Sequence, residues 1–228
     1  MRELYIANKN YSSWSLRPWL LMTQLNIPFI EQVVPFSQQG NFAKFRVFSP
    51  TGKVPCLVQK DIVVWDSLAI AEYLYESYPA VWPKEAKARA FARCAAAEMH
   101  SGFSALRNIC GMSCGHRVKL HRITAELQRD LDRITELFEQ GLTNFGGPFL
   151  AGKQFSAADA FFAPVAFRVQ SYGLVLSEPA MAYVQTLLNL PAMQQWYQQA
   201  LAEPWVDQAH DEEIATAGQI TADLRQTG

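Results

Sequence analysis

The stretch S-P-T-G-K-V-P-C-L, residues 49 to 57, is the most informative part of the sequence for the fold. Gly52 permits a turn, and Val54-Pro55 opens a strand. Proline has no N–H to donate to a β-ladder, which makes it an unusual first residue for an ordinary strand. A cis bond at Pro55 would leave the backbone N–H and C=O of Val54 for a ligand. The alternative is an edge strand that begins beside a proline, and this phrase alone favours neither.

The residues around this phrase alternate strand and helix patterns. Before it come two predicted strands, R-E-L-Y-I-A-N and P-F-I-E-Q-V-V-P-F, separated by the helical pattern S-L-R-P-W-L-L-M-T-Q-L. V-P-C-L-V-Q and D-I-V-V-W follow as a hairpin, and D-S-L-A-I-A-E-Y-L-Y-E-S-Y reads as a helix. The order β-α-β-β-β-α predicts a small α/β domain with a mixed sheet over residues 1–80.

Beyond the proline-containing segment Y-P-A-V-W-P the pattern becomes helical, and we predict no further strand. The segment 84–100 is rich in alanine, and the segments 156–169 and 191–201 carry two more helices, with Pro191 suited to a first turn. Spacings of three and four predict one long helix with an apolar stripe formed by Leu120, Ile123, Leu127, Leu131, Ile134 and Phe138. The sequence therefore predicts an all-helical second domain over residues 86–228.

Composition restricts the classes of function. The 228 residues carry 20 Lys and Arg against 21 Asp and Glu, so no basic surface for nucleic acid or an anionic membrane is expected. The N-terminal apolar run is too short for a signal peptide, and no run approaches the roughly 18 residues of a membrane span. We expect a cytoplasmic protein without a metal site, because four irregularly spaced cysteines read as reduced thiols: Cys56, Cys94, Cys110 and Cys114.

Two predicted helix starts carry polar groups. Asp66 or Ser67 can cap the helix that follows, and the same place can bind an anion through free N–H groups while Asp66 binds an ammonium. The pair would thus suit an α-amino-acid end, although plain capping is the commoner role. Ser156 and Asp159 have the spacing of a capping box, a structural role.

The stretch Y-S-S-W-S, residues 11 to 15, places three serines where the first strand meets the first helix. A hydroxyl at the positive end of a helix can donate to a bound thiolate and lower the pKa of that thiol. The alternative is a serine N-cap with surplus neighbours. No G-x-S-x-G elbow surrounds these serines, which excludes the usual serine-hydrolase pattern.

Together these features resemble the cytosolic glutathione transferases over nearly the whole chain. The resemblance is carried by the serine turn, S-P-T-G-K-V-P-C-L, D-S-L-A-I-A-E-Y-L and F-S-A-A-D, in this order and spacing. It implies a thioredoxin-like N-terminal domain, an all-α C-terminal domain, a homodimer, and transfer of glutathione to a small hydrophobic electrophile, as in detoxification.

The resemblance also implies roles for particular residues. Pro55 matches the family's cis-proline, and Val54 would pair with the cysteinyl part of glutathione. Asp66 and Ser67 match the pair that binds the γ-glutamyl end, and the glycyl carboxylate would meet Lys53 and the loop around Gln39. Ser12 or Ser13 matches the hydroxyl that stabilises the thiolate in the serine-type classes, with a slight preference for Ser13. Arg17 satisfies the arginine that follows in those classes.

The branch most similar is the zeta-like one, whose signature begins S-S-C-S-W-R. Here Trp14 stands at the cysteine position and Leu16 at the tryptophan position. Two alternatives therefore stay open beside conjugation: a glutathione-dependent cis-trans isomerase of a maleyl-type acid, with Arg107 and Arg17 supplying positive charge, and a non-catalytic glutathione-binding carrier.

The second domain offers candidates for the electrophile pocket. His100 and Arg107 are two turns apart on what reads as one helix, and Tyr11 and Trp14 could supply aromatic walls. A histidine satisfied by hydrogen bonds between helices, and aromatic side chains that only pack, are the structural alternatives.

Overall fold

The computed structural model describes residues 1–226 and has two parts joined by the short 3-10 turn Pro79–Val81. The N-terminal elements are β1 (Arg2–Ile6), α1 (Ser13–Gln24), β2 (Ile30–Val33), α2 (Phe42–Phe45), β3 (Cys56–Gln59), β4 (Ile62–Trp65) and α3 (Ser67–Tyr75). The C-terminal elements are α4 (Ala86–Ser101), α5 (Ser104–Ile109), β5 (His116–Leu120), α6 (Ala125–Phe145), α7 (Ala157–Tyr172), α8 (Glu178–Leu188), α9 (Pro191–Ala202), α10 (Gln208–Ala217) and β6 (Gly218–Asp223). The predicted fold class, an α/β domain followed by a helical domain, is confirmed; the exact boundaries at residues 80 and 86 stay a prediction.

The N-terminal sheet has the strand order β2-β1-β3-β4, with β1 and β2 parallel and the other neighbours antiparallel. The predicted hairpin is present and turns at Lys60, whose φ is +57°. The Val54–Pro55 peptide is cis, as the resemblance implies, and a ligand role for Val54 stays a prediction. The β1–β3 register begins at Cys56, so Val54 lies outside the ladder.

Helix α7 is the centre of the helical part, because every residue in it except Gln170 is buried. It packs against α1 of the N-terminal domain and against α4 and α8. The predicted capping box fixes its start: Asp159 accepts hydrogen bonds from the Ser156 N–H at 2.8 Å, the Leu150 N–H at 3.0 Å and the Tyr183 hydroxyl at 2.9 Å. These bonds hold α7 in the position that supports α1.

The expectation of no strand beyond the linker is wrong. Strands β5 and β6 form a separate two-stranded antiparallel sheet, which brings the end of the described chain back to residues 116–120. Leu120 therefore lies in a strand, and Ile123, 53% exposed, lies in the following turn. Helix α6 begins only after Thr124, whose Oγ1 accepts from the Leu127 N–H at 3.2 Å. The prediction had extended the helix back to Leu120 because the apolar spacing of three and four continues across this N-cap.

The prediction that His100 and Arg107 share one helix is also wrong. Helix α4 ends at Ser101, and Phe103 takes the left-handed conformation (φ +54°) before α5 begins. Arg107 spans the break, because its Nη1 donates to the carbonyls of His100 at 3.1 Å and Gly102 at 3.2 Å. The turn therefore keeps these two residues close in space.

Candidate functional site

A cavity of about 580 Å³ lies where the start of α1, the segment before β3, the β4–α3 junction and α5 meet. Its size falls in the ordinary range for small-molecule sites. It is lined by Trp14, Thr51, Lys53, Val54, Pro55, Trp65, Asp66, Ser67 and Arg107. The residues predicted to bind glutathione thus come together here, with the exception of Gln39. Thr51 and Trp65 were not singled out from sequence, although each stands in or beside a quoted motif.

Asp66 caps α3, and its surroundings and those of Ser67 leave the predicted binding role open. Asp66 has φ +76°, and its Oδ1 caps α3 by accepting from the Leu68 N–H at 2.8 Å. Its Oδ2 lies 3.3 Å from His100 Nε2. The Ser67 hydroxyl is buried and has no hydrogen-bond partner among residues 1–226. A non-glycine residue held at positive φ beside an unsatisfied buried hydroxyl is typical of a binding site rather than of plain capping.

The three serines have different surroundings. Ser12 is the N-cap of α1, accepts from the Ser15 N–H at 3.4 Å, and donates its own proton to Ser15 Oγ at 2.7 Å. Ser15 in turn accepts from the Ala7 N–H at 3.2 Å. Ser13 is half-buried, and its hydroxyl bonds to no other group among residues 1–226. The proton of Ser12 is therefore in use, whereas that of Ser13 is available; neither residue is among those that line the cavity.

Behind Trp14 lies a buried cation without a carboxylate in contact. The Arg17 guanidinium carbon is 4.1 Å from the centre of the Trp14 ring and 5.1 Å from that of Phe161. Arg17 is 1% exposed, and its Nε and Nη1 have no partner among residues 1–226. Burial, followed by the charges of Arg168 and Arg107, lowers the pKa of Arg17 to about 9, against the opposing charge of Asp66.

Two further arginines extend this positive region. Arg107 lines the cavity, and its guanidinium carbon lies 4.9 Å from the centre of the Trp14 ring. Arg168 is buried in α7; its Nε donates to the Cys110 carbonyl at 2.7 Å, and its Nη1 has no partner in the described chain. Burial lowers the pKa of Arg168 to about 10. Sequence reasoning missed Arg168, although a single charge inside the apolar run F-F-A-P-V-A-F-R-V was a usable signal.

His100 reaches the site from α4. Its ring meets the edge of Trp14 at 5.2 Å between centres, and its Nε2 faces Asp66. Burial lowers the pKa of His100, Asp66 raises it, and Arg17 and Arg107 lower it further. His100 Nε2 thus lies 3.3 Å from the Asp66 carboxylate, close enough to influence its orientation.

The structure does not bring Tyr11 or Gln39 into this cavity. Tyr11 is 3% exposed, and its hydroxyl donates to Asp211 at 2.8 Å beneath the C-terminal segment. Gln39 lies in the exposed loop between β2 and α2, where its N–H donates to Ser37 Oγ at 3.3 Å. Both remain candidates only for contacts that would require the loop or the C-terminal segment to move.

The cysteines and acidic residues form no other obvious centre. All four cysteines are free thiols, with Cys94 exposed and the others buried. Burial raises the pKa of Cys56 to about 11 and that of Cys110 to about 12, which makes both unreactive as thiolates. Residues 1–226 contain no group of three or more His, Cys, Asp or Glu side chains placed to hold a metal ion, and no helix among them has the length and apolarity to cross a membrane.

A mixed four-stranded sheet with a cis-proline, followed by a helical domain, defines the thioredoxin-like two-domain class, and comparison with known proteins identifies the family. Residues 11–77 match the model described as glutathione S-transferase, N-terminal domain, and residues 117–199 match glutathione S-transferase, C-terminal domain. A zeta-class glutathione S-transferase of Euphorbia esula is 30% identical over 165 residues, 71% of this chain and 73% of that protein.

Two further relatives extend the comparison. Maleylacetoacetate isomerase of Rattus norvegicus is 25% identical over 196 residues, 84% of this chain and 89% of that protein. A glutathione transferase homolog from Burkholderia gl BGR1, solved with bound glutathione, has the same fold with a TM-score of 0.64 and 23% identity, covering 87% of this chain and 97% of that one. The chain belongs to the glutathione S-transferase family of enzymes.

Proposed function

We propose that this cavity binds glutathione and that the chain joins the sulfur of glutathione to a small electrophile, which transfers the whole glutathionyl group. The observation that carries the proposal is the pairing of the Asp66 carboxylate with the unsatisfied hydroxyl of Ser67 at the start of α3. An ammonium and a carboxylate on one carbon match these two groups, since the ammonium would pair with Asp66 and the carboxylate would accept from the Ser67 hydroxyl at the positive end of α3.

With the γ-glutamyl end of glutathione at Asp66 and Ser67, the rest of the tripeptide would meet the other residues of the cavity. Val54, outside the β-ladder, offers its backbone N–H and C=O to the cysteinyl unit of the tripeptide. Lys53 lines the cavity and is placed for the glycyl carboxylate, with the loop that carries Gln39 as a second candidate. In this proposed arrangement the sulfur would lie toward the start of α1 and Trp14.

Activation of the sulfur is assigned to Ser13 rather than Ser12. Ser13 has a proton that no protein group in the described chain accepts, and it stands at the positive end of α1. The thiol loses its proton to solvent, and the thiolate accepts a hydrogen bond from Ser13. It then forms a sulfur–carbon bond with the electrophile as the leaving group departs with its electron pair. The positive charge of Arg17, Arg107 and Arg168 favours the anionic form of the sulfur.

Conjugation of 1-chloro-2,4-dinitrobenzene tests this assignment through matched serine variants. Ser13→Ala should lower kcat/KM about 100-fold, the usual cost of removing one donor to a developing or bound anion. Ser12→Ala should cost about 1 kcal/mol of unfolding free energy as a lost N-cap, and leave kcat/KM within about threefold. Loss of activity in Ser12→Ala but not in Ser13→Ala would contradict the assignment. Tight glutathione binding with no conjugation by the wild type would favour the carrier.

The arginines favour a second candidate function, isomerisation of a maleyl-type acid. Arg107 lines the cavity, and two more buried guanidiniums with unpartnered nitrogens lie close by, an environment suited to a carboxylate substrate. Trp14, at the cysteine position of the zeta-like signature, weighs against it. Comparing 4-chloro-3-nitrobenzoate with 4-chloro-3-nitrobenzamide separates the two: a preference for the benzoate that Arg107→Met abolishes supports an acidic substrate, and equal rates weigh against one.

We also propose a homodimer in the cytoplasm, with conjugation serving detoxification. Ile62 is 45% and Trp65 44% exposed, and Trp65 lies beside an open apolar cleft with Val63, Val64 and Leu68. A second copy of the chain is the proposed cover for this face, as the family resemblance implies. Sedimentation velocity should give a dimer for the wild type and a monomer for Ile62→Lys; a monomeric wild type would contradict the proposal.

A further inference from the structure

The loop between β1 and α1 consists of polar residues that the protein almost completely encloses. Asn8, Lys9 and Asn10 are 1%, 3% and 1% exposed, although these residue types normally lie at the surface. The loop leads directly to Ser12 and Ser13. Buried polar groups cost stability unless each has a partner, so the partners of this loop show which parts of the protein fix its position.

The backbone of the loop forms a turn that ends at the N-cap of α1. The Asn8 carbonyl accepts from the Tyr11 N–H at 3.3 Å and from the Ser12 N–H at 2.9 Å, which closes the turn over residues 8–12. Lys9 and Asn10 are its central residues. Because the chain is continuous, a shift of these two residues is passed on to Ser12 and to the residue that follows it.

One carboxylate of the helical domain holds the centre of this turn. Glu203 follows the last residue of α9 and is 8% exposed. Its Oε1 accepts from the Lys9 N–H at 2.7 Å, and its Oε2 accepts from the Asn10 N–H at 3.3 Å. Bonds from N–H groups to an ionised carboxylate are stronger than those between neutral groups, and this one carboxylate fixes two adjacent residues together.

Other groups of the helical domain hold the acceptors of the same two residues. The Trp196 indole N–H donates to the Lys9 carbonyl at 2.9 Å, and the Cys114 N–H donates to the Asn10 carbonyl at 3.1 Å. Asn10 Oδ1 accepts from the Gly115 N–H at 2.8 Å. The position of the turn is therefore set by a distant part of the sequence.

The Lys9 ammonium has partners other than Glu203. Its Nζ donates to Glu31 and to Gln199, both at 2.6 Å, and lies 5.2 Å from the centre of the Trp19 ring. Glu31 is thus the carboxylate that pairs with this cation. Within the described chain, the hydrogen-bond donors of Glu203 are the two backbone N–H groups of the turn.

Glu203 also titrates in the neutral range. Burial raises the pKa of Glu203 to about 7, against the bonds from the Lys9 and Asn10 N–H groups and the charge of Lys9, and the charge of Glu31 raises it further. The Cys114 thiol also faces Glu203; burial, followed by the charge of Glu203, raises the pKa of Cys114, so this thiol stays neutral. On protonation Glu203 loses the negative charge that strengthens its two bonds.

We propose that Glu203 is a positioning residue for the transfer reaction: its ionised carboxylate fixes the turn over residues 8–12 so that the Ser13 hydroxyl meets the sulfur of glutathione. This inference rests on the proposed function, because Glu203 acts through the serine that activates the sulfur and does not line the cavity. Small displacements of a catalytic group lower rates strongly. The effect should therefore appear in turnover and in the thiol pKa, and not in the binding of glutathione by Asp66 and Ser67.

Glu203→Gln tests the proposal, because the amide keeps the shape of the carboxylate but has one acceptor oxygen in place of two. In conjugation of 1-chloro-2,4-dinitrobenzene, kcat should fall about tenfold, and the KM for glutathione should stay within about twofold. Ultraviolet titration of bound glutathione should show a thiol pKa that rises toward the unperturbed value of about 8.5.

The matched control is Glu85→Gln. Glu85 also accepts from two backbone N–H groups, those of Lys87 at 2.9 Å and Ala88 at 2.6 Å, but it does so at the start of α4. The control variant should leave kcat, the KM for glutathione and the thiol pKa unchanged. Equal losses of kcat in Glu85→Gln and Glu203→Gln would overturn the positioning role.

The thiol titration separates this inference from the proposed function. A wild-type thiol pKa without any shift would overturn both. A lowered wild-type thiol pKa that is retained in Glu203→Gln would overturn the positioning role alone, even where the variant unfolds at a lower urea concentration, because the two backbone bonds would then serve stability only.

A measurement on the wild type does not depend on how well the variant folds. In ¹⁵N–¹H correlation spectra of the full chain, the Lys9 and Asn10 amide signals should titrate together with a midpoint at about pH 7, as Glu203 gains its proton. The Lys87 amide signal is the control and should stay fixed over this range, because the bond from the Lys87 N–H lowers the pKa of Glu85. Lys9 and Asn10 signals that do not move through neutral pH would overturn the proposal.

Discussion

Arg17 and Arg225 are both largely buried near the start of α1, yet their surroundings are opposite. Arg225 Nη1 donates to Asp211 at 2.9 Å, and its Nη2 donates to Asp223 at 2.6 Å. Burial acts to lower the pKa of Arg225, but its bonds to Asp223, Tyr11 and Asp211 raise it overall. Arg17 has no such bonds, and its pKa falls to about 9.

The difference separates a cation paired within the protein from one whose nitrogens have no partner among residues 1–226. Arg225 joins the C-terminal segment to the loop before α1, because Asp211, Asp223 and Tyr11 use its donors within the protein. Arg17 Nε and Nη1 have no partner among residues 1–226 and lie next to Trp14, which lines the cavity, although a buried unpaired charge costs stability. Perturbed residues are enriched at functional sites, so Arg17 is a candidate for a role there.

Removing the paired cation should give the largest change in stability. We expect Arg225→Met to cost about 2–3 kcal/mol in urea unfolding, because two carboxylates lose their partner in a partly buried cluster. The matched control is Arg129→Met, whose pair with Glu126 is well exposed on α6 and should cost less than about 0.5 kcal/mol. Equal costs for the two variants would show that the Arg225 cluster does not secure the C-terminal segment.

Removing the charge of Asp66 should act on binding instead. Asp66→Asn keeps a good N-cap for α3 but loses the carboxylate, so the Kd for glutathione should rise at least about tenfold, as for a lost charge-assisted hydrogen bond. Isothermal titration calorimetry measures the change. Glu85→Gln removes the N-cap carboxylate of α4, which does not line this cavity, and should leave the Kd unchanged. An unchanged Kd in Asp66→Asn would assign Asp66 to capping alone.

Replacing the unpaired cation should have the smallest effect on stability. Arg17→Met removes a buried charge and keeps most of the side-chain volume, so we expect unfolding free energy to stay within about 1 kcal/mol of the wild type or to rise. The thiol pKa of bound glutathione should rise in the same variant, because a positive charge near the sulfur is lost. A loss of stability as large as that of Arg225→Met would remove the contrast between the two arginines.

Local phrases in the sequence predicted much of the site. The cis-proline phrase, the Asp66–Ser67 helix start and the Ser156–Asp159 capping box each depend on a few adjacent residues, so their chemistry is visible without the fold. Adjacent residues also limit the thiolate donor to Ser12 or Ser13, but they do not decide between the two. The hydrogen bond from Ser12 to Ser15 distinguishes them, and it depends on the actual turn.

Features that depend on distant pairing were not predictable in this way. Strands β5 and β6 are short, lie about a hundred residues apart, and are stabilised by each other rather than by their own patterns. The break between His100 and Arg107 depends on the left-handed conformation of Phe103, which its residue type does not favour. The effect of the Arg168 charge on the pKa of Arg17 depends on the packing of α7 against α1.

Ser13, at the start of α1, is the residue proposed to hold the sulfur of glutathione as a thiolate. Ultraviolet titration of bound glutathione in the wild type, Ser12→Ala and Ser13→Ala tests it most directly. We predict a thiol pKa well below the unperturbed thiol value of about 8.5 in the wild type and in Ser12→Ala, and a return toward that value in Ser13→Ala. An unshifted pKa in the wild type with binding intact, or a lowered pKa that survives Ser13→Ala, would contradict the claim.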